Sequence, residues 1–206
     1  MIYIFENTKD FDENFIEQAF PLLSSERQKK INSYKILSNK IDGCVAFLLL
    51  RYALKNEYNI SETPEFIFNE YGKPFLKNHN DIYFNISHCK NAVVCAVSDK
   101  NVAIDIMDYR KIHNGVIKRV CSDNEKTMLS ISQNKDKDFI KLWTMKECYS
   151  KLIGKGLSMD FSKITSDIPE CKKFIYIQSE NYILACSEIS NDKIIKPNLQ
   201  QLLVIN

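Results

Sequence analysis

The pattern of apolar and polar positions predicts helices followed by antiparallel strands, in two halves that repeat one plan. Apolar residues at helical spacing predict a short helix at 11–20 and a long buried helix at 41–55. In the second half they predict a long helix from about 137 to 153, which Gly154 ends. Short apolar runs between polar turns predict strands at 2–5, 66–68, 82–86, 92–97, 102–107, 174–177, 182–186 and 202–205.

Polar residues before two of the helices supply start signals. Ser25–Gln28 and Ser122–Glu125 both fit the capping box, in which two side chains bond the free N–H groups of a first helical turn. No low-complexity linker separates the halves. We therefore expect an α+β fold of two similar subdomains, residues 1–101 and 102–206, packed side by side.

Composition narrows the class of protein. The chain has 206 residues, 45% of them hydrophobic and 26% charged, which is enough to form a core. A net charge of +2 and the absence of a known motif disfavour a nucleic-acid-binding module. Residues 1–6 predict a strand rather than a signal peptide, and the longest apolar run, Val45–Leu50, is too short to span a bilayer. Seven cysteines without metal-ligand spacing favour a reduced cytoplasmic protein that lacks disulfides and structural zinc.

Asp105 is the first candidate for chemistry, because it interrupts the apolar strand predicted at 102–107. Alternation places it on the face opposite Ile104 and Ile106. A carboxylate in such a strand is costly unless it is paired or bound to a metal. The ordinary alternative is an edge-strand aspartate that faces water, and this stretch alone favours that alternative.

The second candidate lies on the long helix of the second half. Glu147 and Lys151 are four residues apart and share a face with Trp143, one turn earlier. The ordinary interpretation is an exposed ion pair, which contributes little to stability.

Three further segments carry weaker signals. Ser87 and His88 suggest a hydrolase, but neighbouring strand residues point to opposite faces and no nucleophile elbow is present. Gly154–Ser158 contains a Gly-Lys pair without the spacing of a phosphate-binding loop, so it equally fits the end of a helix. Lys73, in the turn Tyr71–Pro74, is by itself an exposed lysine.

Taken in order, these segments resemble a known family. The turn NEYGKP, then FNISH, AIDI, WTMKECYSK and GKGLS, are similar to the motifs of the surfactin-type (Sfp-type) 4′-phosphopantetheinyl transferases, and the resemblance covers essentially the whole chain. It implies two α+β subdomains related by a pseudo-twofold axis, with the active site in the cleft between them. It also implies a Mg²⁺-dependent enzyme that transfers the 4′-phosphopantetheine of coenzyme A to a serine of an apo acyl or peptidyl carrier protein and releases 3′,5′-ADP.

The resemblance also assigns residues. Asp105 and Glu147 match the acids that bind Mg²⁺, and Lys151 matches the catalytic lysine beside the phosphates. Glu147 is the candidate base, directly or through a metal-bound water, and the water route is favoured; Glu125 matches an acidic position that assists. The positions that contact coenzyme A are matched by Arg27, Lys30, Lys73, Ser87, His88 and Lys146.

Two departures from the family pattern limit the match. The family commonly has an acid where this chain has Met107, and a thioether is a poor ligand for Mg²⁺. Asp42 and Gly43 stand where relatives often carry Arg or Thr. Met107 motivates the alternative that the chain is an inactive relative, which binds coenzyme A or carrier protein without transfer.

The resemblance implies an acidic partner and a monomeric enzyme. The segment 111–126, with Lys118 and Arg119, offers a basic and apolar docking surface for a carrier protein, or else is an ordinary solvated helix. The sequence does not distinguish a carrier of fatty acid, polyketide or nonribosomal peptide synthesis. We expect neither nucleic acid nor membrane as a partner.

Overall fold

A computed structural model of the chain describes residues 1–189 and 193–204. The first half contains, in order, β1 (Ile2–Glu6), α1 (Glu13–Ala19), α2 (Ser25–Ser33), α3 (Leu37–Tyr58), β2 (Phe66–Phe68), β3 (Pro74–Leu76), β4 (Tyr83–Cys89) and β5 (Ala92–Ser98). The second half contains β6 (Ile104–Asp108), α4 (Asn114–Val120), α5 (Asp123–Ile131), α6 (Lys135–Ile153), β7 (Ile175–Gln178), β8 (Tyr182–Cys186), β9 (Ile194–Ile195) and α7 (Leu199–Leu203). The fold is α+β, as the sequence pattern predicts.

Both halves build their main sheet in the same way. Strands β4, β5 and β1 are adjacent in that order in the first sheet, and β7, β8 and β6 in the second. In each sheet the middle strand is antiparallel to both neighbours. Each sheet is also assembled in one chain order, a strand, then helices ending with the longest, then a hairpin. This common topology supports the repeated plan, and the boundary at residue 101 stays a prediction.

Helix α3 is buried because other elements cover it on several sides. Its stretch Cys44–Leu50 is buried throughout, since α3 packs on the first sheet and also against α1, α2 and α7. Alternation along β1 directs Tyr3 and Phe5 toward this helical layer, and Ile2 and Ile4 to the opposite face. The opposite face joins a second core between the two sheets.

Strand β6 has the alternation that the sequence predicts. Ile104 and Ile106 pack in the core between the sheets, whereas Ala103 belongs to the core under α6. Cys148 of α6 contacts the Ala103 carbonyl through its sulfur at 3.5 Å. The order of layers is therefore helix, sheet, sheet and helix, and Asp105 lies on the α6 side of β6.

The last predicted strand is wrong. Residues 202 and 203 belong to α7, and Ile205 lies outside the described residues. Asn198 and Gln201 form a capping box that begins the helix, and Leu202 is fully buried against the first half. Strand β9 pairs in parallel with β1, so the tail of the chain packs on the first half rather than on the second.

The helix start predicted at Ser25–Gln28 lies one residue too late, because Ser24 is the actual cap. The third helical residue is then Arg27, so no reciprocal box forms, and the Gln28 side chain instead donates to the Phe20 and Leu23 carbonyls. The capping box at Ser122–Glu125 is confirmed, with both of its bonds present. It begins α5, so the segment 111–126, expected to be a loop and a helix, contains α4 and the first turn of α5.

Two further features bear on the class of protein. Among the helices of the described residues, none combines the length and the apolar composition that crossing a membrane requires. All seven cysteines are buried and unpaired.

Candidate active site

A groove of about 440 Å³ lies where the first half meets the end of α6. Helix α2 and the segment from β2 to β4 form most of its wall, and Lys151, Gly154 and Gly156 close it from the second half. Part of its surface is apolar, contributed by Ala46, Phe66, Phe68, Pro74, Phe84 and Ile86. A groove with an apolar wall and several cations suits an anionic ligand that also has a planar apolar part.

Four of the basic residues assigned from the sequence line this groove, namely Arg27, Lys30, Lys73 and Lys151. Arg27 and Lys30 are one turn apart on α2. The Arg27 guanidinium lies over the Phe47 ring, 5.5 Å from its centroid, and burial lowers its pKa. A fixed and partly desolvated cation of this kind interacts strongly with an anion that enters the groove.

The turn that carries Lys73 joins the two halves. The Lys73 ammonium donates to Asn101 Oδ1 at 2.8 Å and to the Leu152 carbonyl at 3.3 Å. Asn69 Nδ2 donates to the Gly154 carbonyl at 3.0 Å. Gly154 has φ of +78°, and a Cβ there would lie 3.1 Å from Lys73 Cδ. Glycine at this position thus both ends α6 and allows the turn to pack closely on it.

Asp105 forms a buried ion pair at the edge of the groove. Its Oδ1 accepts hydrogen bonds from Lys151 Nζ at 2.7 Å and from Ser87 Oγ at 2.7 Å. Lys151 also donates to the Ile104 carbonyl at 3.2 Å. Asp105 Oδ2 is buried and has no hydrogen-bond partner in the part of the chain that the structure describes. The alternative of an aspartate that faces water is therefore wrong, since Asp105 is buried although β6 is an edge strand. One carboxylate oxygen remains available to a ligand.

Glu147 shares this environment. Burial raises its pKa above the ordinary value, the negative charge of Asp105 raises it further, and Lys151 lowers it. The Asp105 charge raises the pKa of Glu147 because the two carboxylates repel each other, and a cation between them would relieve that repulsion. The structure therefore brings together two acids that are 42 positions apart in the sequence.

Mg²⁺ fits these two carboxylates. It prefers oxygen ligands and is commonly held by one or two carboxylates together with substrate phosphates and water. Asp105 Oδ2 is the unpartnered buried oxygen that such an ion would satisfy. Within residues 1–189 and 193–204, no three His, Cys, Asp or Glu side chains converge on one point, so the protein offers two acids rather than a complete cage. Met107 packs partly against the apolar core of the second half.

Lys146 lies away from the groove. Its side chain is 0% exposed, and its ammonium donates to Glu125 Oε2 at 2.9 Å, to the Phe161 carbonyl at 2.9 Å and to the Ile164 carbonyl. Three donors are thereby used by three acceptors. Lys146 and Glu125 thus form a buried pair that joins α5 and residues 161–164 to α6, and neither reaches the groove in this conformation.

Ser87 and His88 also lie outside the groove lining. Ser87 is buried against Asp105, whereas the His88 side chain is 56% exposed, with Nδ1 3.5 Å from Asp42 Oδ2. Burial raises the pKa of Asp42 and His88 lowers it. The alternation that disfavours a Ser–His catalytic pair is thus confirmed, because the two side chains have separate partners.

Some groove residues were missed in the sequence. Asn69, Asn85 and Asn101 provide hydrogen bonds at the junction of the halves. Asn69 and Asn85 lie within the motifs NEYGKP and FNISH but were given no role, and nothing in the sequence marks Asn101. Phe68 also lines the groove although its side chain is 63% exposed. An aromatic strand that directly precedes a glycine turn is the available signal for this residue.

Comparison with known proteins identifies the family. Residues 101–195 match the family model of the 4′-phosphopantetheinyl transferase superfamily. The 4′-phosphopantetheinyl transferase gsp of Aneurinibacillus migulanus is 34% identical over 200 residues, covering 87% of this chain and 84% of that protein. The 4′-phosphopantetheinyl transferase psf-1 of Bacillus pumilus is 32% identical and covers 75% of this chain and 68% of that protein. The 4′-phosphopantetheinyl transferase Sfp of Bacillus subtilis strain 168 is 31% identical over 147 residues, which are 69% of this chain and 65% of that protein.

The match to gsp covers 87% of the chain and therefore extends over both halves, whereas the family model covers most of the second half. The chain therefore belongs to the Sfp-type 4′-phosphopantetheinyl transferases, a family of enzymes.

Proposed function

We propose that this enzyme transfers the 4′-phosphopantetheine group from coenzyme A to the serine of an apo carrier protein, with Mg²⁺ and with release of 3′,5′-ADP. The observation that carries the proposal is the groove, which four basic side chains line. One of them, Lys151, is bonded to the Asp105 carboxylate, which interacts with Glu147 just outside the lining. Cations bind the phosphates of the donor, and the acids bind the metal that accompanies a diphosphate.

The first half holds the donor in this proposal. Arg27 and Lys30 on α2 and Lys73 on the turn surround the nucleotide phosphates, and the aromatic wall of Phe66, Phe68 and Phe84 receives the adenine. Because Lys73 also bonds to the end of α6, it fixes the donor site relative to the residues of the second half. This arrangement holds the reacting phosphate in one position, which supplies much of the catalysis in phosphoryl transfer.

The second half holds the reacting end. Asp105 Oδ2 and the Glu147 carboxylate would hold Mg²⁺, which when bound neutralises charge on the diphosphate. Lys151 stays within hydrogen-bond reach of this point and stabilises negative charge on the departing 3′,5′-ADP. The Met107 side chain has no oxygen, so the side chains present would supply two carboxylates, and the remaining ligands would have to be water and phosphate.

The transfer forms one P–O bond and breaks another. The carrier serine Oγ attacks the β-phosphorus of coenzyme A, and the bond from that phosphorus to the bridging oxygen of the diphosphate breaks. Glu147 is the candidate acceptor of the serine proton, directly or through a water molecule. The electron pair of the broken bond leaves with 3′,5′-ADP.

Helices α4 and α5 form the proposed docking surface for the acceptor. Val116, Met128 and Ile131 expose 41%, 63% and 80% of their side chains, and Lys118 and Arg119 are exposed beside them on α4. Exposed apolar residues with basic neighbours suit an acidic, amphipathic partner helix. This surface belongs to the second half of the chain, whose helix α6 carries Glu147.

Residues of both halves of the chain together line this groove, so we propose an enzyme that is active as a monomer. Seven unpaired cysteines suit a reducing compartment, and we propose the cytoplasm on that basis.

The deciding experiment uses several apo carrier proteins. Each is incubated with the enzyme, coenzyme A and Mg²⁺, and the intact carrier is analysed by mass spectrometry for the phosphopantetheine adduct. We expect an adduct on the serine of at least one carrier and none when EDTA replaces Mg²⁺. Binding of coenzyme A without an adduct on any carrier would establish the alternative, a relative that binds without transfer.

A further inference from the structure

Strands β4 and β6 meet at the junction of the two sheets without a backbone ladder. Each is an edge strand of its own sheet, and the two lie side by side. Two side chains of β4 take the place of ladder partners. Asn85 Oδ1 accepts from the Ile104 N–H at 3.0 Å, and Ser87 Oγ accepts from the Ile106 N–H at 3.4 Å. These bonds satisfy buried donors of β6 that would otherwise lack partners.

The Ser87 hydroxyl forms a second hydrogen bond, which it donates to the Asp105 carboxylate. A hydroxyl has a single proton to donate, and Ser87 donates it to Asp105 Oδ1 at 2.7 Å. Ser87 is only 8% exposed. Its proton and most of its surface are therefore already used within the protein, and little of the hydroxyl remains for a phosphate of the donor.

The two donors to Asp105 both act on one oxygen. Ser87 Oγ and Lys151 Nζ each lie 2.7 Å from Oδ1, whereas Oδ2 has no partner within the described ranges. Bonds from two directions to Oδ1 restrict rotation of the carboxylate. They therefore keep Oδ2 as the oxygen that is presented to a ligand.

We propose that Ser87 is a positioning residue for the metal-binding carboxylate of Asp105 and does not contact the phosphates of coenzyme A. Asn85 supports it by holding β6 at a fixed distance from β4. Because both residues belong to the first half, the contact between the halves sets the orientation of an acid in the second half. The inference rests on the proposed function only in that Asp105 is taken to bind Mg²⁺.

The test measures Mg²⁺ binding to the purified enzyme by titration calorimetry, without a carrier protein. Removal of an outer-shell partner typically weakens metal binding by about 10- to 100-fold, and we expect this loss for Ser87→Ala. Ser87→Thr keeps the hydroxyl, so its Mg²⁺ affinity stays close to that of the wild type. At saturating Mg²⁺, Ser87→Ala keeps the wild-type KM for coenzyme A.

Ser187 provides a matched control. It is also a buried serine, and its Oγ accepts from the neighbouring Ala103 N–H at 2.9 Å, but it has no contact with Asp105. Ser187→Ala therefore removes a hydroxyl from the backbone of the same segment and leaves Mg²⁺ affinity unchanged. Equal losses of affinity in Ser87→Ala and Ser187→Ala would mean that Ser87 acts only as a structural cap, which overturns the proposal.

A second measurement needs no metal. In urea unfolding of the metal-free enzyme, we expect Ser87→Ala and Asp105→Asn to be non-additive, and Ser187→Ala and Asp105→Asn to be additive. Additivity in the first pair overturns the inference, as does an increased KM for coenzyme A with unchanged Mg²⁺ affinity. Mg²⁺ binding that depends on Ser87 in an enzyme that modifies no carrier would uphold the inference and defeat the proposed function.

Discussion

Helix α6 carries two lysine–acid pairs that are alike in geometry and different in surroundings. Lys146 Nζ lies 2.9 Å from Glu125, and Lys151 Nζ lies 2.7 Å from Asp105. In each pair one carboxylate oxygen is buried without a hydrogen-bond partner in the described part of the chain, Glu125 Oε1 and Asp105 Oδ2. The two lysines are five positions apart within one sequence motif.

The difference between the pairs lies in access. The Lys146 side chain is 0% exposed and its ammonium is saturated by three acceptors, whereas the Lys151 side chain is 26% exposed and lines the groove. The first pair holds α5 and residues 161–164 on α6. The second borders the groove in which we propose that the diphosphate and the metal bind. A lysine–acid pair is therefore structural or chemical according to what can approach it.

The largest expected effect is at the acids. We predict that Asp105→Ala and Glu147→Ala each lower kcat/KM by more than about 100-fold, since each removes a ligand of the metal rather than an outer-shell partner. The folded structure remains, which circular dichroism checks. Wild-type rates in either variant would refute the metal assignment.

The next largest effect is a loss of protein stability, which we expect from disruption of the buried Lys146–Glu125 pair. Lys146→Met leaves the Glu125 charge buried and unpaired, so we predict a loss of about 3–5 kcal/mol in the free energy of unfolding. Urea unfolding measures it. The double variant Lys146→Met/Glu125→Gln is the control, because it removes both charges, keeps an acceptor for the Ser122 N–H and recovers part of the stability. The KM for coenzyme A of folded Lys146→Met stays at the wild-type value, whereas a raised KM would favour the phosphate contact implied by the family resemblance.

At Lys151 we expect a larger loss of activity and a smaller loss of stability than at Lys146. Lys151→Met removes a cation that stabilises charge in the transition state, so we predict a fall in kcat of about 10²- to 10³-fold. The loss of stability is smaller than for Lys146→Met, because the Asp105 carboxylate keeps its bond from Ser87 and lies beside the open groove. Steady-state kinetics and urea unfolding of the two lysine variants, measured together, test this reversal.

The smallest expected effect is a dependence of stability on pH. Because the folded-state pKa of Glu147 is raised, the folded protein binds this proton more tightly than the unfolded chain does. The resulting stability is present below the unfolded pKa of about 4.3 and is lost as the pH rises through the folded pKa. Glu147→Gln lacks this term, so we predict that metal-free Glu147→Gln gains stability relative to the wild type as the pH rises. Thermal melts of the two proteins from about pH 4 upward measure the stability of Glu147→Gln minus that of the wild type. A fall in this quantity as the pH rises would contradict the prediction.

The spacing of apolar residues predicted most helices and strands correctly, but it failed at the C-terminal residues 202–205. Helices α3 and α6 and the strands around Asp105 have strong periodicity, so their positions follow from the spacing of apolar residues. Residues 202–205 were misread because an apolar run does not by itself distinguish strand from helix, and the capping pair Asn198 and Gln201 was overlooked. The pairing of β9 with β1 joins distant segments, and no local signal encodes it.

The site was predicted through resemblance more than through physics. Neither Asp105 nor Glu147 is distinctive within its own segment, and their proximity depends on how the two sheets pack. Resemblance also grouped Ser87, His88 and Lys146 with the coenzyme A ligands, whereas the structure gives each of them a different partner. The degree of burial distinguishes a structural side chain from one that can reach a ligand, and a single sequence does not give the burial of an individual polar residue.

The central claim is that Asp105 and Glu147 together hold one Mg²⁺ beside the diphosphate of coenzyme A. A crystal structure with coenzyme A and Mg²⁺ tests it most directly. The account predicts one cation with oxygens of both carboxylates and of the diphosphate at about 2.0–2.1 Å. A cation bound elsewhere, or a diphosphate held without contact to either acid, would contradict it.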